Sequence, residues 1–61
     1  MFFFKVKVKY RNVYHFFEHS KWFSVKASDE NSAGECACNT LINNFPPGDI
    51  IWAEVVKVQK A

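Results

Sequence analysis

The stretch SDENSAGECACNTLINNF, Ser28 to Phe45, decides the fold, because it alone has helical character and strand-like sequence flanks it on both sides. Ser28 or Asp29 can cap its start, where free backbone N–H groups need an acceptor. Asp29 and Glu30 then place negative charge in the first turn, where the helix dipole favours it. Ala33, Cys36, Ala37, Thr40, Leu41 and Asn44 recur at three- and four-residue steps, predicting a narrow buried stripe of small side chains that ends in one Leu. Gly34 lowers helix propensity and fits there if helix and sheet approach closely. Pro46-Pro47-Gly48 stops the helix, since successive prolines lack N–H donors and force extended backbone before them. A turn with Pro47 and Gly48 at its centre is expected next.

Upstream, Phe2 to Tyr10 reads as a strand. Phe4, Val6, Val8 and Tyr10 point one way and Lys5, Lys7 and Lys9 the other, with Phe3 on the lysine side. Trp22 to Ala27 reads as a second strand, with Phe23, Val25 and Ala27 on the covered face and Trp22, Ser24 and Lys26 opposite. Arg11 to Lys21 admits two readings. Either the first strand continues as far as Phe17, or Val13-Tyr14-His15-Phe16-Phe17 forms a long hairpin tip between turns at Arg11-Asn12 and Glu18-Lys21. Ile50 to Lys60 is a third strand whose apolar phase changes, which either a bulge near Glu54 or burial of the strand start on both sides would explain. The chain is thus expected to be one α+β domain, residues 1–61, with β-β-α-β order. A hairpin followed by a crossover helix places the third strand parallel to the second. If it pairs with the first, the sheet order is 2-1-3, with the lysine-striped strand in the middle and the helix on one face.

A chain of 61 residues sits near the lower limit for folding without a staple, but 49% hydrophobic content makes a core feasible. Seven Phe, two Trp and two Tyr exceed what one covered face can hold, so some are expected outside, where exposed aromatics mark interfaces. The formal net charge of +2 excludes little by itself. No segment reaches membrane-spanning length, and Met1-Phe2-Phe3-Phe4 lacks the basic start and long apolar region of a signal peptide, so a cytoplasmic, reducing setting without membrane contact is expected.

Catalytic chemistry finds no support in the motifs. No serine lies in a Gly-flanked elbow, no glycine-rich loop can cradle phosphate, and the acids are accounted for by helix caps and solvated faces. No enzyme activity and no cofactor is expected. Cys36 and Cys38 stand about 200° apart on a helix, so a disulfide or a shared metal is disfavoured; Cys36 is expected to be buried. His15 and His19 would complete four zinc ligands, but in no standard finger order, and no metal site is assigned.

Two surfaces remain. The hairpin segment, with Tyr14, His15, Phe16, Phe17, His19, Lys21 and Trp22, is the expected protein-binding surface. Adjacent extended residues face opposite ways, so either Phe16 or Phe17 should point outward as the anchor. The sheet face with Phe3, Lys5, Lys7, Lys9, Trp22 and Lys26 is the alternative, a nucleic-acid platform.

The segments EHSKWFSVKASDENSA (Glu18 to Ala33) and FPPGDIIWAEVVKV (Phe45 to Val58) are similar in layout to small phage-encoded inhibitors of host RNA polymerase, which combine a three-stranded sheet, one helix and a Pro/Gly turn into the last strand. The resemblance covers about half the chain and carries no site residue, since those inhibitors are expected to use acidic side chains where this sheet carries lysines. It implies a phage-type regulator that docks on and blocks a larger host protein. The leading expectation is therefore a small non-enzymatic interaction module.

Overall fold

β1, Phe2–Asn12, is the middle strand of a three-stranded sheet, with β2 (His19–Ala27) on one side and β3 (Ile50–Lys60) on the other. Both neighbours run antiparallel to β1, and the 14-residue helix α1, Glu30–Asn43, forms the crossover between β2 and β3. The computed structural model describes every residue, Met1 to Ala61. The α+β class and the order β2-β1-β3 are those expected from the sequence.

The register sorts the strands into two faces. Val6 lies opposite Phe23 and Val58, while Lys7 lies opposite Trp22 and Lys57. Under α1, Phe4, Val6 and Val8 of β1 and Val25 and Ala27 of β2 are buried against Ala33, Ala37 and Leu41 of the helix. β3 contributes only half-buried side chains, Ala53, Val55 and Val58, to the margin of this core. Phe23, expected in the core, is half-buried near the sheet edge, with the Lys21 ammonium 5.5 Å from its ring centroid.

Asp29 caps α1, its Oδ1 accepting from the Ser32 N–H at 2.8 Å. This bond holds the Asp29 carboxyl below its ordinary pKa. At the other end Asn44 closes the helix, and Gly48 adopts a φ of +87° behind Pro47 while the Asp49 N–H donates to the Pro46 carbonyl at 3.1 Å. That is the positive-φ position at which a Pro-Gly turn requires glycine.

Three further expectations are corrected. The helix rolls so that Gly34 and Cys38 flank the Ala33-Ala37-Leu41 row, and Cys36 is exposed rather than buried. The cause is the close approach at Gly34, where a Cβ would stand 3.3 Å from Val55 Cγ2. Burial pushes the Cys38 thiol above its ordinary pKa, so it stays protonated. The bulge expected near Glu54 falls at Val56, because Lys7 pairs with Lys57 and Val8 with Val55, and a second irregularity falls at Ile51, between the pairs Arg11–Trp52 and Asn12–Ile50. This keeps Val55 under Gly34 and turns Val56 outward.

The other two corrections concern strand ends. β1 runs two residues past Tyr10, and β2 begins at His19 rather than Trp22. Buried Asn12 ends β1 with an Asx-type turn, its Oδ1 accepting from the Tyr14 N–H at 3.0 Å. Residues 13–18 are therefore turn and bend at a hairpin tip, not a continued strand.

Candidate functional site

The hairpin tip presents Val13, Tyr14, Phe16 and Phe17 to solvent. The alternation argument for one inward and one outward Phe fails here, because the backbone is bent rather than extended. Both rings lie outside the core, yet they differ. Phe17 packs on His15 and His19, with ring centroids 5.5 and 4.8 Å away, and His19 in turn stacks on Tyr10 at 5.5 Å and an interplanar angle of 27°. Tyr10 touches Phe45 at 5.8 Å, so a chain of rings joins the tip to the helix end. Phe16 takes no part in it and is 94% exposed. The tip is held from behind by a 2.9 Å bond from the Val13 N–H to the Asp49 carbonyl and a 3.4 Å bond from Arg11 Nε to the His15 carbonyl.

His15 and His19 lie 4.9 Å apart, ring centroid to ring centroid, and no third His, Cys, Asp or Glu joins them in a metal-holding group. His19 Nε2 is buried without a hydrogen-bond partner. Lys21 and Trp22, grouped with the tip on sequence grounds, sit in β2 and face opposite ways. Lys21 lies on the helix side over Phe23, and Trp22 on the open side across from Lys7.

That open side is the second surface. Lys5, Lys7, Lys9, Arg11, Lys26 and Lys57 share it, six of the eight Lys and Arg in the chain. Glu54, opposite Lys9, is the one strand acid on this face, and Glu18 reaches Lys9 Nζ from the hairpin at 3.6 Å. Asp29, Glu30 and Glu35 all belong to the helix side. The molecule is thus electrically two-sided, acidic over the helix and basic over the bare sheet. Phe3, across from Lys26, and Trp22 are exposed among the cations, and half-buried Trp52 lies across from Arg11. The Lys26 ammonium stands 5.6 Å from the Phe3 ring centroid. Arg11, Trp52 and Lys57 were not among the sequence candidates. For Arg11 the signal was the continued alternation of β1 past Lys9, and for Trp52 and Lys57 the phase change in β3, but their partners become visible only with the register.

No helix is long and apolar enough to cross a membrane. Comparison with protein-family models, curated proteins and solved structures finds no match.

Proposed function

We propose that this protein is a small interaction module that docks on a larger protein through its hairpin tip. One observation carries the reading: Phe16 is 94% exposed at the hairpin tip, where Val13, Tyr14 and Phe17 are exposed as well. Exposing a phenyl ring gains nothing for the monomer, whereas removing it from water in a partner's pocket supplies binding energy. The ring chain through Phe17, His19 and Tyr10 supports the tip and lowers the ordering cost of binding. Tyr14 and His15 supply a polar rim. The resemblance to phage-encoded inhibitors suggests the form of this activity, the blocking of a large host enzyme, and makes bacterial RNA polymerase the first partner to assay.

The test is a photo-crosslinking amino acid placed at position 16, with Asn39 on the exposed helix face as the control position. In bacterial lysate, and then with purified polymerase, position 16 should yield one discrete protein adduct that position 39 does not. Equal or no labelling from both positions would remove the tip as the docking element.

A further inference from the structure

We propose that the open face of the sheet binds single-stranded nucleic acid, with the lysines of β1 on its phosphates and Trp22 stacked on a base. The site is separate from the hairpin tip and does not depend on the docking reading. Three features of the face point to this occupant together.

The first is uncompensated charge. Lys7 and Lys57 lie directly opposite each other, and like charges in that relation destabilise a strand pair. No acid comes within ion-pair distance of Lys5, Lys7, Lys26 or Lys57, the only such pair being Lys9 with Glu18. A fold under selection for stability alone would place an acid opposite Lys7, as it does opposite Lys9 with Glu54. An anion lying between the two ammonium groups removes the repulsion and turns it into attraction.

Spacing is the second. Alternate residues of a strand stand about 6.8 Å apart, so Lys5, Lys7, Lys9 and Arg11 form a linear row of about 20 Å. A row of evenly stepped cations suits a linear polyanion with one charge per repeat, which the stretched sugar-phosphate backbone provides. A compact anion would use only one or two of them.

The third is the aromatic side chains. Trp22, 47% exposed, lies across from Lys7, and Phe3, 61% exposed, lies four pairs away along β1 on the same face. Base stacking on such rings needs unpaired bases, which a duplex withholds and a single strand offers. The same rings disfavour an acidic peptide, which has charge but few flat faces to stack.

The experiment is fluorescence anisotropy of a labelled dT12 oligonucleotide against the full chain, with unlabelled duplex of the same length and polyaspartate as competitors. Binding should weaken with salt at a slope of about −3 in log K against log[salt], as expected for about four phosphates at roughly −0.7 each on a single strand. Lys57→Gln should lower the magnitude of that slope by about 0.7 and, by relieving Lys7, raise the melting temperature. The gain in stability follows from the repulsion alone, so the change in affinity and slope is what marks a site; a merely solvated Lys57 would leave both unchanged. Trp22→Ala should weaken binding on the order of tenfold, and Trp22→Phe should restore most of it, with melting temperatures confirming that both variants fold. Phe16→Ala should leave dT12 binding unchanged, which keeps this result distinct from the docking test. Absence of dT12 binding at low salt, equal competition by duplex, or equal competition by polyaspartate would each overturn the proposal.

Discussion

Truncating Leu41 tests the attachment of the helix to the sheet. Leu41 is 1% exposed and is the only large side chain that α1 buries; Ala33, Gly34 and Ala37 supply the rest of its buried row. Leu→Ala deletes hydrocarbon equivalent to about three methylenes, or about 2.4 kcal/mol of transfer free energy at 0.8 each. The cavity left behind raises the expected loss for Leu41→Ala to about 2.5–4 kcal/mol, within the range for buried Leu. A chain of this length has a total stability of about 3–9 kcal/mol, so the variant should lose a large share of it. Urea denaturation followed by far-UV circular dichroism measures the loss, and the melting temperature should fall by roughly 20 °C or more. Ile42→Ala is the control, because Ile42 is 48% exposed on the adjoining position. Its loss should be well under half that of Leu41→Ala. Equal losses at the two positions would mean that α1 is rolled differently on the sheet, and a loss at Leu41 below about 0.5 kcal/mol would mean it is not anchored there.

Other consequences are read with simple assays. Iodoacetamide should alkylate Cys36 well before Cys38, since Cys36 is exposed while Cys38 is half-buried with its thiol held protonated; mass spectrometry of the digested protein gives the order. Asp29 has a folded pKa below the ordinary 3.8, so its contribution to stability is present above that value and lost as pH falls through the lower folded value. Asp29→Asn should accordingly flatten the dependence of melting temperature on pH below about 4 and leave the shape above pH 5 unchanged. A strong chelator should leave the far-UV dichroism unchanged, because His15 and His19 pair only with each other among metal-ligating side chains.

Strand β1 was legible because its period of two is unbroken: alternating Val and Lys leave one way to bury a face. The helix and the Pro-Gly turn were legible from Asp29, Pro47 and Gly48, whose local chemistry admits few alternatives. The roll of the helix was not. Its stripe contains only small residues besides Leu41, so Cys36 and Cys38 carry nearly equal hydrophobic weight, and the contact of Gly34 with Val55 decides between them. The hairpin was ambiguous for a related reason. Val13 to Phe17 is as apolar as a strand, and the Asx turn that ends β1 depends on Asn12 being buried, a tertiary fact. Of the basic face, Lys5, Lys7 and Lys9 were visible in the sequence. Lys57 joined them only through the bulge at Val56, which re-phases the end of β3.

The docking account stands on Phe16 contributing to binding and not to folding, and the two can be measured on one variant. Phe16→Ala should melt within a few degrees of the parent protein, since the 94% exposed ring has almost nothing to lose on truncation. Its affinity for the crosslinked partner, measured by titration calorimetry, should fall about thirtyfold, on the order of 2 kcal/mol for the loss of an anchor ring. A variant that melts far earlier, or that binds its partner as tightly as the parent, would contradict the account.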